Sequence, residues 1–222
     1  MNACGNGVSV MLGGGIESTH LVRLYLDQGA TVTPVHLCCG LIWDQCESEF
    51  VHRFCAQMAS PRLNRLIEFS VPLGGFLQSH WAITGKNVPQ AGAAADELEI
   101  PLRNLTLLAF AVQRLANGGP VALAMGTTAD NCYRDGSRQY FDRCQELLSI
   151  EANAPVSVLT PLIGLTKTEV IRACDRRTLA ASFSCVDPQG GRHCGACIKC
   201  GRRRRAFIEA GVEDPTIYAR AT

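Results

Sequence analysis

The sequence predicts an α/β fold, a parallel sheet flanked by helices, and three observations carry that prediction. Short apolar runs alternate with segments of helical periodicity, the order expected of consecutive strand–helix–strand units. Three glycines, Gly13, Gly14 and Gly15, separate the first apolar run from the first helical segment. Four cysteines, Cys185, Cys194, Cys197 and Cys200, sit near the C-terminus at metal-ligand spacing. We therefore expect residues 1–180 to form the α/β domain and residues 181–222 a small zinc-binding subdomain.

Taken in order, residues 8–12 read as a short buried strand. From about Ser18 the apolar residues Leu21, Leu24, Tyr25 and Leu26 follow helical spacing until Gln28-Gly29. Residues 31–39, rich in Thr and Val, form a second strand candidate. In residues 43–59, Phe50, Phe54 and Met58 share one helical face. Residues 66–70 read as a third strand. Residues 72–100 are less regular and read as a surface insertion near the site or a partly mobile segment. Residues 101–116 resume as a helix stopped by Asn117-Gly118-Gly119-Pro120. A fourth strand at 121–125, a helix at 138–150, a last strand at 156–159 and a helix at 166–175 complete the alternation.

Composition bounds the function. The chain has 222 residues, 47% hydrophobic and 18% charged, enough for a sizeable buried core. Lys+Arg 21 against Asp+Glu 20 gives a formal net charge of +1, so no global field draws it to nucleic acid or anionic lipid. No apolar run approaches the roughly 18 residues of a membrane span. The opening residues, Met1-Asn2-Ala3-Cys4-Gly5-Asn6, lack the basic and apolar regions of a secretory signal. The expectation is a cytoplasmic protein in which the 12 cysteines stay reduced. Cys4, Cys38, Cys39, Cys46, Cys55, Cys132, Cys144 and Cys174 then read mostly as small hydrophobes.

Two segments carry chemistry. In Leu12-Gly13-Gly14-Gly15-Ile16-Glu17-Ser18-Thr19, glycines let backbone N–H groups approach an anion, and the following helix presents its positive end. Ser18 and Thr19 add hydroxyls. The segment lacks the Gly-Lys-Ser/Thr of a Walker loop and the Gly-x-Gly-x-x-Gly fingerprint, so the alternative is a glycine turn capped by Ser18. In the tail, two successive Cys-x-x-Cys steps plus Cys185 suit a closed tetrahedral zinc site, with an iron–sulfur cluster as the chemical rival. His193 is then a neighbour rather than a ligand.

Other residues admit two readings each. Arg103 near a helix start is opposed to the dipole unless an anion or carboxylate faces it; the alternative is a solvated charge. Thr166-x-x-Glu169 has the spacing of a capping box, which leaves Lys167 free for a phosphate or for solvent. Arg202-Arg203-Arg204-Arg205 point around most of a helix. They read as ion pairs and solvated groups, with Arg202 buttressing the zinc loop, in preference to a polyanion patch.

The glycine loop resembles the Ser-Gly-Gly-x-Asp-Ser pyrophosphate loop (PP-loop) of the N-type ATP pyrophosphatases, with Gly14, Gly15 and Ser18 matching. Gly13 stands in place of Ser and Glu17 in place of Asp. Three further blocks are similar to the 7-cyano-7-deazaguanine synthase branch of that family. They are residues 100–104, residues 160–169, and the tail from Ser184-Cys185 through His193-Cys194-Gly195 to Asp214-Pro215. The resemblance implies a Rossmann-like sheet of the adenine nucleotide α-hydrolase type, with Leu12, Gly13, Gly14, Gly15, Glu17, Ser18 and Thr19 binding ATP. It also implies Mg²⁺ at the phosphates, Lys167 and Arg103 as catalytic cations, Zn²⁺ on the four cysteines, and a homodimer. The reaction it implies converts 7-carboxy-7-deazaguanine, with ATP and ammonia, through an amide to a nitrile in a queuosine or other deazapurine pathway.

The chain departs from the family where substrate is read. Cys39-Gly40-Leu41-Ile42-Trp43 replaces Tyr-Gly-Gln-x-His, and residues 133–141 carry an extra residue relative to Tyr-Pro-Asp-x-Arg-x-x-Phe. Two alternatives follow. One keeps adenylation but changes the acid or acceptor, including tRNA thiolation through Cys38 or Cys39 and a defence or secondary pathway. The other is a zinc-stabilised nucleotide- or RNA-binding protein without turnover.

Overall fold

The computed structural model describes residues 7–220; Cys4 and the opening residues read for a secretory signal lie outside them. Five strands, β1 (Gly7–Met11), β2 (Thr31–Cys38), β3 (Ile67–Ser70), β4 (Val121–Ala124) and β5 (Val156–Leu159), form one sheet in the order β3-β2-β1-β4-β5. Every pairing is parallel. Helices α1 (Ile16–Asp27), α2 (Asp44–Gln57), α3 (Gly74–Leu77), α4 (Trp81–Thr84), α5 (Arg103–Leu115) and α6 (Arg138–Glu151) come before β5. Helices α7 (Lys167–Ala173), α8 (Arg176–Ala180) and α9 (Ile198–Ala210) follow it.

Side chains alternate across the sheet because the strand period is two. Val8, Val10 and Leu12 enter one apolar cluster with Ile16 and Leu21 of α1, Phe54 of α2 and Phe207 of α9. Met11, Val35, Leu37 and Leu123 enter the other, with Leu108 of α5 and Phe141 of α6. Both faces are covered, which is why the strands read as nearly continuous apolar runs. Phe183, Cys185, Cys194 and Cys200 of the tail belong to the same cluster as Met11 and Leu37.

Strands and most helices fall within a residue or two of their expected positions; three corrections stand out. Pro101 does not open α5: Leu102 adopts a left-handed conformation (φ 60°), so the helix begins at Arg103. The helix expected over 166–175 is two, because α7 ends at Ala173 and Asp175 caps α8 by accepting from Thr178 N. The irregular insertion holds α3, α4 and a 3-10 turn (Ala95–Leu98), and it pairs with the cysteine segment through Ala91 N→Ala196 O (2.8 Å) and Ile198 N→Pro89 O (2.9 Å).

Strand order reverses at β1, which has β2 on one side and β4 on the other. In open parallel sheets the crevice at the carboxyl ends of such strands is where ligands sit. Among the described residues no helix is long and apolar enough to cross a membrane.

Candidate active site at the switch point

A cleft of about 690 Å³ opens at that position. Its floor is Met11, Leu12 and Gly13 after β1 with Met125, Gly126 and Thr127 after β4, and Gly15, Glu17 and Ser18 bring in the start of α1. Gly14 takes a left-handed φ of 70°, so the loop turns without a Cβ penalty, and its carbonyl accepts from Phe183 N at 2.7 Å. Gly126 packs so closely on α1 that a Cβ there would lie 3.1 Å from Ser18 N, which brings the β4 loop against the helix start.

The hydroxyls of the loop face inward. Ser18 Oγ donates to Gly15 O (3.0 Å), and Thr19, fully buried, donates to Gly15 O and Ile16 O. Thr19 does not line the cleft, and Gly14 shapes it from behind. Of the loop residues, Leu12, Gly13, Gly15, Glu17 and Ser18 line the cleft.

Charged side chains converge on the loop from three elements. The Thr166–Glu169 capping box forms as the spacing predicts. It leaves Lys167 at the first position of α7, where its ammonium pairs with Glu17 and its backbone N–H donates to Asp130. Burial works to raise the Glu17 carboxyl, yet the Lys167 ammonium prevails and holds it below its ordinary value. Arg103 lines the cleft from the start of α5, and its buried Nε has no hydrogen-bond partner among the described residues. That unpartnered, water-shielded donor weighs against the solvated-charge alternative.

Several cleft residues were not singled out from sequence. Lys199, between Cys197 and Cys200, is brought in by the first turn of α9; its side chain stays exposed at the cleft mouth, and partial desolvation there, with Lys167 nearby, lowers its ammonium to about 8. Glu47 of α2 lies beside Gly13, and burial raises its carboxyl to about 8 against the pull of Arg103. Their spacing carries no motif, so only the fold reveals them. Arg202 and Arg205 also line the cleft. Arg202 thus does not buttress the cysteine loop, because α9 turns it toward the cleft. Arg204 does so instead, donating to Gly195 O (2.9 Å) and lying over the Tyr218 ring (3.9 Å).

Of the two stretches in which the chain departs from the family pattern, only part lines the cleft. Trp43 stacks on Trp81 (centroids 5.6 Å apart), and both line the cleft with Tyr133, Leu98 and Asn104. Leu41 instead enters the core, and Arg138 turns to β5, where it donates to Val158 O (2.9 Å) and Thr160 (2.8 Å). Burial pushes the Cys38 thiol up to about 12 and the Cys39 thiol up to about 11, leaving both protonated at neutral pH.

The four tail cysteines are buried together. Cys185 and Cys197 sulfurs lie 3.8 Å apart and Cys194 and Cys200 sulfurs 3.9 Å apart. A tetrahedron with Zn–S of about 2.3 Å has edges of about 3.8 Å. Backbone N–H groups of Cys194 and Asp187 point at Cys185 Sγ, and those of Ala196 and Cys197 at Cys194 Sγ. The set fits a metal such as zinc. His193 stands aside as a neighbour, its Nε2 accepting from Ser184 N (3.1 Å), and burial beside Arg203 lowers it to about 3.

A doubly covered parallel sheet with a glycine loop at its switch point, cationic side chains around that loop and a four-thiolate tail defines a PP-loop-type α/β protein. The chain belongs to the QueC family, the queuosine biosynthesis proteins, whose model matches residues 8–211. It is 28% identical over 222 residues to the 7-cyano-7-deazaguanine synthase of Methanothermobacter thermautotrophicus, covering 94% of this chain and 97% of that one. To the 7-cyano-7-deazaguanine synthase of Pyrococcus horikoshii it is 30% identical over 180 residues, covering 71% and 72%. Its fold is similar to that of a predicted subunit of tRNA methyltransferase from Methanocaldococcus jannaschii, with a TM-score of 0.50, 16% identity, and 75% and 73% of the two chains covered.

Proposed function

We propose that this chain is an ATP-dependent carbon–nitrogen ligase of the 7-cyano-7-deazaguanine synthase type, acting on 7-carboxy-7-deazaguanine and ammonia. A carboxylate oxygen attacks the α-phosphorus of ATP and pyrophosphate leaves. Ammonia displaces AMP to give the amide. A second adenylation, on the amide oxygen, followed by loss of AMP and a proton, gives the nitrile. The observation that carries this reading is the meeting of the Gly13–Gly15 loop, Lys167, Lys199 and Arg103 in one cleft with the Trp43, Trp81 and Tyr133 wall.

Each group has a physical role. The loop amides and the α1 terminus take the departing pyrophosphate charge. Lys167, Lys199 and Arg103 neutralise charge developing on the phosphates, so positioning and electrostatics do most of the work. Mg²⁺ carried in with ATP would shield phosphate oxygens, and Glu17 and Asp130 are the cleft carboxylates that would hold it. Zinc on four thiolates has no open position and serves the fold. In this reading the enzyme is cytoplasmic and homodimeric, and exposed Leu147 and Ile150 on α6 offer an apolar face for the second copy.

The test is pyrophosphate release by the purified zinc-loaded chain with Mg²⁺ and ATP, with and without the acid and ammonia. Acid-dependent release and nitrile formation support the assignment; release no higher than without the acid overturns it. A second reading, adenylation of a different carboxylate, is favoured by the Trp43–Trp81 stack where the family carries a polar run. AMP formation across a panel of aromatic and deazapurine acids separates the two. Thiolation is disfavoured by the protonated Cys38 and Cys39.

A further inference from the structure

A second group of metal-ligand side chains lies on the sheet, apart from the tail cysteines. His36 and Cys38 are two residues apart on β2 and so project from the same face. Glu68 on β3 is the register partner of His36 and joins them on that face. A His36 ring nitrogen, Cys38 Sγ and a Glu68 carboxylate oxygen lie within 4.8 Å of one another. The Cys38 sulfur is 3.8 Å from Glu68 Oε1.

The ring of His36 carries the independent sign of a ligand. It is 2% exposed, and its Nδ1 is held 2.8 Å from the Leu12 carbonyl. A carbonyl only accepts, so Nδ1 carries the proton and Nε2 presents a lone pair. That Nε2 is buried and has no hydrogen-bond partner among the described residues. An imidazole fixed at one nitrogen by a backbone carbonyl, with the other left bare, is the arrangement that metal-binding histidines adopt. The carboxylate is oriented in the same manner. Ser48 of α2 donates to Glu68 Oε1, and His52 of α2 bonds Oε2 at 2.8 Å.

We propose that His36, Cys38 and Glu68 form a binding site for a zinc-class divalent ion, distinct from the four-cysteine cluster. One nitrogen, one sulfur and one oxygen donor make a borderline-soft set suited to Zn²⁺ or Co²⁺ and ill suited to Mg²⁺ or Ca²⁺. Binding displaces the Cys38 thiol proton to solvent and leaves one coordination position for water. The ion ties β2 to β3 beneath α2. Because His36 also lines the cleft, the site adjoins the phosphate loop rather than lying remote from it.

The test uses the full chain, metal-stripped under reducing conditions, reloaded with excess Zn²⁺ or Co²⁺ and dialysed. Metal analysis is expected to find one tightly held ion more per chain than in the Cys38→Ser, Glu68→Gln double variant. Both substitutions preserve shape at partly exposed positions, and circular dichroism checks the fold. X-ray absorption at the metal edge of the native chain gives a second readout that needs no variant. It should show a mixed sulfur and nitrogen/oxygen environment averaged with a four-sulfur one. Equal metal content in native and double-variant chains, or a purely four-sulfur environment in the native chain, overturns the proposal.

Discussion

Two residues beside the phosphate loop titrate in the same range with the same consequence for anion binding. Glu47 is neutral below about 8 and Lys199 is cationic below about 8. As pH rises through that value the cleft gains a negative charge and loses a positive one. The dissociation constant for ATP is therefore expected to rise about tenfold between pH 7 and pH 9, roughly 1.4 kcal/mol, read by calorimetry; a flat profile would contradict the charge assignment. Glu47→Gln should roughly halve the pH dependence, leaving the part owed to Lys199. It should also stabilise the protein above pH 8 by on the order of 1–2 kcal/mol. The sign follows from linkage: a carboxyl that holds its proton more tightly when folded contributes fully below its ordinary 4.5 and loses that contribution as pH rises to about 8. Arg103→Met tests the orphaned guanidinium. It should lower kcat about 100-fold for adenylate formation while moving the thermal midpoint little, since no hydrogen bond of its Nε is broken. That Arg103 and Lys167 lie in the cleft was legible in sequence, because each opens a helix where a cation is otherwise out of place. Glu47 and Lys199 were not, because their place in the cleft comes from the packing of α2 and α9 against residues distant in sequence.

At the scale of elements, the alternation of strands and helices was readable because both faces of the sheet are covered and each strand is a compact apolar run. What escaped was local geometry. A left-handed Leu102 shifts the start of α5 past Pro101, and the Asp175 cap splits one apparent helix into α7 and α8. Neither changes hydrophobic periodicity, so neither leaves a pattern. The cap of α7 does leave one, and it connects element stability to the cleft. Glu169 accepts from Thr166 N and Thr166 Oγ1 accepts from Glu169 N, which sets the direction in which Lys167 leaves the helix. Thr166→Ala should cost about 1 kcal/mol in chemical denaturation. It should also raise KM for ATP more than Thr166→Ser, which keeps the hydroxyl. Equal KM for the two variants would separate the cap from the placement of Lys167.

The whole molecule couples its tail to its loop through one buried cation. Arg203 is 1% exposed and donates to Thr216 (2.7 Å), Ser182 (3.0 Å), Ser184 (3.0 Å) and the Leu179 carbonyl (3.1 Å), with Asp214 3.7 Å away. Within this run of partners, Phe183 N clips onto Gly14 O of the phosphate loop. Balanced charge makes the arginine run read as ion pairs and solvated groups; α9 gives its four members different environments, and the pairing with Asp214 is found at a buried arginine. Truncating the buried one strands Asp214 and the hydroxyls, so Arg203→Met should destabilise by about 3–5 kcal/mol in denaturant titration. The four thiolates act on the same segment, since Cys185 lies just beyond Ser184 and Lys199 sits between Cys197 and Cys200. Stripping metal from the cluster therefore has two expected effects: a lower thermal midpoint and a weaker affinity for ATP, both restored by Zn²⁺. The two should change together across a chelator titration, because unfastening residues 183–185 frees the Gly14 carbonyl while unseating Lys199. A midpoint that falls while ATP affinity holds would mean that the metal supports the tail alone and that the loop keeps its shape without it.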